Sequence, residues 1–127
     1  MENPGRDEVV SVDGLDEQML SAINAARQSL RQFLDAFFSP KPNQRNFLLK
    51  VAFNVESRTE HIWLADLDLM ASPPTGVVAN EPRTPSLTYM DRVPFDPVLV
   101  SDWMYYEDDC LVGAFTTRVL QSSARPN

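Results

Sequence analysis

The stretch Asn46–Met70, NFLLKVAFNVESRTEHIWLADLDLM, decides the fold. Its first half, NFLLKVAFNVE, is rich in bulky and β-branched residues that alternate, though imperfectly. Phe47, Leu49, Val51, Phe53 and Val55 point one way and Leu48, Lys50, Ala52 and Asn54 the other, which is the period of a β-strand with the first set as its buried face. The polar run Glu56–Thr59, centred on Ser57-Arg58, reads as a turn, and EHIWLADLDLM as the partner strand of a hairpin. On that second strand, strict alternation puts His61, Trp63, Ala65 and Leu67 on one face and Glu60, Ile62, Leu64, Asp66 and Asp68 on the other.

Upstream the period changes to that of a helix. In DEQMLSAINAARQSLRQFLDAFF (residues 16–38), Met19, Leu20, Ile23, Ala26, Leu30, Phe33, Leu34 and Phe37 recur every three or four positions and form one stripe that must cover a core. Asp13 or Asp16 is placed to cap the start, and Ser39-Pro40 with Pro42 ends it, because proline cannot continue the hydrogen-bond ladder. Ser29 followed by Gln32 has the spacing of a capping box. The unbroken stripe argues for one helix and the box for two, broken near Ser29.

Downstream, SPPTG reads as a turn, VVAN as a short third strand and EPRTPSLTYMD as a proline-bearing loop. RVPFDPVLV, with two prolines, fits an edge or irregular strand. SDWMYYEDDCLVGAF fits two short strands around an acidic turn, and TTRVLQSS a short helix in preference to a last strand. The expected fold is α+β: an amphipathic N-terminal helix on a curved, mostly antiparallel sheet of about five to six strands, with a short C-terminal helix. A chain of 127 residues has room for one such domain. Residues 1–12 are expected as a flexible tail, 13–122 as the domain and 123–127 as a disordered end.

Composition limits the function. A formal charge of −7 repels phosphate backbones, and no basic cluster offsets it, so nucleic acid is not an expected partner. A single cysteine, Cys110, permits no internal disulfide and suits a reducing, cytoplasmic compartment. No apolar run approaches a membrane span and the opening MENPGRDEVV lacks the character of a secretion signal, so no membrane association is expected.

The candidate chemistry is sparse. His61, the single histidine, is the one group that ordinarily titrates near neutrality, yet its sequence-near acids fall on the opposite strand face; Asp102 is the acid best placed to reach it from another strand. A metal site would need carboxylates from elsewhere, since there is no second His and only one Cys. Asp66 and Asp68, about 7 Å apart on one face, have a spacing compatible with paired-carboxylate chemistry, but also with an ordinary solvated strand face. Cys110 follows three acids, which disfavours a thiolate nucleophile. GxSxG, GxGxxG and GxxxxGK[ST] are absent. No cofactor is expected. The aromatic set Trp63, Trp103, Tyr105 and Tyr106 offers either core or a binding face. Alternation sends Trp103 and Tyr105 to one side and Met104 and Tyr106 to the other, so one aromatic pair is core.

Taken together, AARQSLRQFLDAF, PNQRNFLLKVAF, EHIWLADL, GVVANEP and SDWMYYEDDCLVGAFTTRVL resemble the YegJ-like bacterial proteins, domain of unknown function 2314, over about residues 22–120. The resemblance implies a small bacterial α+β domain with no established activity, so no catalytic residue carries over. His61, Trp63, Asn80, Pro82, Asp102, Trp103 and Gly113 are its family-like positions. The family tends to proline where Arg31 stands, which favours the helix break, and to glycine where Met90 and Ala114 stand.

Residues and resemblance together point to a non-enzymatic binding or accessory module. Its tentative binding face comprises His61, Trp63, Asn80, Asp102, Trp103 and Tyr105, and a protein segment or small molecule is the expected partner. Two alternatives stand beside it: a small hydrolase or metal-dependent enzyme centred on His61, and an acidic immunity-type protein that neutralises a basic toxin.

Overall fold

The computed structural model describes residues 6–124. Two helices, α1 (Arg6–Gln28) and α2 (Leu30–Phe38), precede strands β1 (Gln44–Val55), β2 (Arg58–Asp68), β3 (Thr75–Val78) and β4 (Arg92–Pro94). A single 3₁₀ turn at Pro97–Leu99 leads into β5 (Val100–Glu107), β6 (Cys110–Gly113) and a last helix, α3 (Phe115–Ala124). The strands form one six-stranded sheet in the order β4-β3-β2-β1-β5-β6, antiparallel throughout. The α+β class, the edge position of β4 and the C-terminal helix follow the sequence pattern, and of the two readings left open for the N-terminal stripe the structure has the broken one.

Helix α1 begins at Arg6, inside the stretch expected as a tail, so Asp13 and Asp16 lie at interior positions of the helix rather than at its start. Residues 1–5 and 125–127 lie outside the described residues.

The break at Ser29 has a different cause from the capping box. The Ser29 side chain caps no N–H. Its hydroxyl instead turns back to the carbonyl of Ala25 at 2.7 Å, and the indole Nε1 of Trp103 donates to the Ala26 carbonyl at 3.0 Å and to Ser29 Oγ at 3.2 Å. Gln32 reaches forward to the Tyr105 hydroxyl rather than back to Ser29. A sheet residue thus meets the polar groups that the break frees, as any buried backbone group requires.

The β1–β2 turn is the residue pair Glu56-Ser57, both left-handed at φ 50° and 65°, the geometry whose twist matches a two-residue hairpin. Pairing places Leu49 opposite both Leu64 and Trp103, and Val51 opposite Ile62. Residues directly opposite share a face, so these five lie together, under Ala26 and Phe33 of the helices, and every one of them is buried. Phe33 and Trp103 approach to 5.9 Å between ring centroids, and Trp103 stacks on Tyr105 at 5.8 Å. The strict alternation expected for β2 ends at Asp66. There the backbone turns left-handed (φ 47°) and the register shifts between Ala65 and Asp68, so Leu67 packs into the core.

Candidate functional site

The face of the sheet away from α1 and α2 is built from the intervening positions, and the start of α3 meets it at Asp102. Lys50 stands opposite Trp63 and Asp102, and Ala52 opposite His61. This separates the two tryptophans. Trp103 (1% exposed) and Tyr105 (3% exposed) belong to the sealed, helix-covered side, whereas Trp63 is half-buried and His61 exposed on the other. The single face expected to carry His61, Trp63, Trp103 and Tyr105 does not form. A tryptophan on β2 and one on β5 fall on the same side only if they pair with the same parity of β1, and these pair with Lys50 and Leu49.

Around Trp63 the open face carries a short polar chain. The Lys50 ammonium lies 5.4 Å from the centre of the Trp63 ring, a cation–π distance, and donates to Thr116 Oγ1 at 3.0 Å. Thr116 in turn binds the carboxylate of Asp102. Burial pulls the Lys50 pKa below its ordinary value, with the nearby Asp102 charge opposing that shift. His61 Nδ1 sits 3.0 Å from Ser101 Oγ, a residue in the β-bulge between the Lys50 and Val51 pairings. Partial desolvation of the imidazole, with the Lys50 charge acting in the same direction, lowers the His61 pKa.

Asp102 is placed for architecture. It is wholly buried, and its Oδ1 accepts from the backbone N–H groups of Trp103 (2.8 Å) and Phe115 (3.1 Å), while Oδ2 accepts from the Thr116 N–H (2.8 Å) and its hydroxyl. Phe115 and Thr116 open α3, and the residue before them is Ala114, whose side chain has no oxygen to cap with. Asp102 therefore supplies from β5 the N-terminal cap that the helix's own sequence lacks, a favourable place for a carboxylate. The expectation that it serves as the acid partner of His61 is corrected on this ground: its oxygens already take four bonds, and the neighbour of His61 is Ser101.

Asn80 also has a backbone role. Strand β3 ends at Val78, and Asn80 Oδ1 accepts the Trp63 N–H at 2.7 Å, extending the β2 edge by a side chain where the ladder stops. Beside it the Glu60 carboxylate accepts the successive N–H groups of Arg83 (2.6 Å) and Thr84 (3.0 Å). The motifs EHIWL and ANEP are thus two halves of one assembly that fastens the loop after β3 to β2. Thr59, Glu60, His61, Asn80, Glu81 and Arg83 line a shallow polar cleft there.

Asp66 and Asp68 are engaged separately. Asp66 holds Arg92 at 2.7 Å, and Asp68 accepts the N–H groups of Met70 and Ala71 at the end of β2. Among the described residues no group of three or more His, Cys, Asp or Glu is disposed to hold a metal ion. An apolar groove lined by Phe53, Pro73, Pro74, Phe95, Pro97 and Leu99 is open, and two of the polar side chains in its wall are engaged internally: Asn54 accepts from Thr59, and Asp96 from the Val98 N–H. No helix among the described residues is long and apolar enough to cross a membrane.

The sequence pattern passed over Lys50, Ser101 and Thr116. Ser101 (4% exposed) and Thr116 (2% exposed) are buried polar residues, and a lysine flanked by Leu49 and Val51 was the one visible signal, since a charge inside an apolar strand needs a partner.

Comparison with known proteins finds bacterial relatives. The family described as "Uncharacterized protein conserved in bacteria (DUF2314)" matches residues 16–126. The chain is 30% identical over 105 residues to "Uncharacterized protein YegJ" of Escherichia coli (strain K12), a match spanning 81% of this chain and 67% of that protein. No solved structure matches it.

Proposed function

The chain belongs to the bacterial DUF2314 family, and from that premise we propose that it is a non-enzymatic binding or accessory module whose partner lies against the open sheet face around Trp63 and His61. One observation carries the reading. Trp63 is a large aromatic kept half-exposed opposite the helices, beside Lys50 and the His61–Ser101 pair, while the other tryptophan is fully consumed by the core. Aromatics with one apolar side and nearby polar groups are the residues that dominate recognition surfaces. The commitment of Asp102 to α3 supports the non-enzymatic part, since it removes from His61 the acid that a hydrolytic pair would use.

The test is positional crosslinking in the bacterial cell. A photoreactive side chain at Ala52 or Ala65, which border His61 and Trp63, is expected to give discrete adducts that Trp63→Ala abolishes, whereas one at Leu20 on α1 is expected to give none of them. Adducts from Leu20 alone, or adducts indifferent to Trp63→Ala, would count against this face. Turnover of any ester, amide or phosphoester substrate that is lost in His61→Ala would replace the binding reading with the enzymatic one.

A further inference from the structure

The two edges of the sheet are closed by different means. β4 is three residues long and carries Pro94, and Arg92 on it is tied to Thr75 and Asp66. Short length and proline are the usual ways to stop another strand from adding to an edge. β6 has no proline. It leaves β5 through the two-residue turn Asp108-Asp109, with Glu107 opposite Cys110 and Tyr105 opposite Val112. In a two-residue hairpin the closing pair exchanges both bonds and the pattern alternates. The backbone groups of Cys110 and Val112 therefore face β5, and those of Leu111 and Gly113 face outward.

The outward carbonyls are covered by a side chain. Arg118, an exposed residue in the first turns of α3, donates Nη2 to the Leu111 carbonyl at 2.8 Å and Nε to the Gly113 carbonyl at 2.9 Å. We infer that the outer edge of β6 is a strand-pairing site for a second copy of this chain, held shut by the Arg118 guanidinium. The occupant follows from charge. Asp109, whose side chain is fully exposed although it lies 3.8 Å from the chain's own Arg45 guanidinium, stands at one end of β6 and Arg118 at the other. Two copies related by a two-fold axis at Leu111 pair antiparallel, which sets Gly113 of each opposite Asp109 of the other. The guanidinium, on leaving its own carbonyls, then meets a carboxylate at both ends of the new ladder, a self-complementary arrangement. An exposed ion pair contributes at most about 1 kcal/mol, so it orients the pairing, while the cover over the carbonyls decides whether pairing occurs.

Sedimentation of the full chain tests this. The wild type is expected to be monomeric, and Arg118→Ala to self-associate at least about tenfold more tightly, as a dimer. Adding Leu111→Pro to Arg118→Ala removes one outward N–H without touching the ladder to β5 and is expected to restore the monomer. If Arg118→Ala fails to fold, Arg118→Met keeps the aliphatic stem and carries the same expectation. A folded Arg118 variant that associates no more than wild type overturns the inference, as does a dimer that survives Leu111→Pro.

Discussion

Trp103 and Trp63 are separated on the central strand by a single step, since one lies opposite Leu49 and the other opposite Lys50. That step changes everything about them. Trp103 touches Phe33, Tyr105 and Phe115 and uses its N–H to hold the broken end of α1. Trp63 keeps one side open, with an ammonium over its ring. The same residue type is thus a structural keystone on one face and a candidate contact on the other. What distinguishes them is the parity of pairing, because a shift of one residue in register moves a whole strand to the opposite face.

Substitutions sharpen the contrast. Trp103→Ala is expected to cost about 3–5 kcal/mol, through the cavity and the stranded Ala26 carbonyl, and Trp63→Ala about 1 kcal/mol or less. Urea denaturation measures both, and equal losses would erase the distinction. Asp102→Ala, which leaves the first N–H groups of α3 uncapped inside the protein, is expected to cost about 2–4 kcal/mol and to lower the helical circular dichroism signal. If Asp102→Ala left stability and helix content unchanged, the trans-cap would be refuted.

Smaller effects probe the loops and the open face. Met90 is exposed and held at φ 78°, a conformation that disfavours side chains. Met90→Gly is expected to stabilise the fold by about 0.5–1 kcal/mol, read as a raised melting temperature. The smallest effect concerns His61. Its folded pKa lies below the ordinary 6.5, so the unfolded chain takes up the proton first as pH falls. Stability should therefore decline from about pH 6.5 down to the lowered folded value and level off below it. His61→Gln is expected to flatten that decline, and an unchanged slope in pH-dependent denaturation would place the titration elsewhere.

The periodicity of Asn46–Met70 made the hairpin and its buried face legible, and the helical stripe fixed what covers it. The break at Ser29 was legible only as an ambiguity, because the group that settles it, the Trp103 indole, lies 74 residues away. The faces of the aromatic strands were half legible. Alternation within DWMYY divides the aromatics, but only cross-strand register tells which half is inside. The bulge at Asp66 was hidden, since aspartate in a left-handed position looks in sequence like any polar residue on a solvated face. Asp102 looked like a catalytic partner because an acid beside a tryptophan carries no mark of its destination, and its partners, the N–H groups of Phe115 and Thr116, are backbone atoms. Met90 and Ala114, where the resemblance led one to look for glycine, are both left-handed here (φ 78° and 55°), the conformation that glycine adopts without strain.

The asymmetry between the two faces is tested most directly by hydrogen exchange at the two indole N–H groups of the wild-type protein, followed by NMR in D₂O and assigned with Trp63→Phe. The Trp103 indole hydrogen, buried and shared between Ala26 and Ser29, is expected to persist until the protein unfolds globally, while that of Trp63 exchanges within the dead time. Two equally protected indoles, or a persistent signal that disappears in Trp63→Phe, would contradict the division of the sheet into a sealed face and an open one.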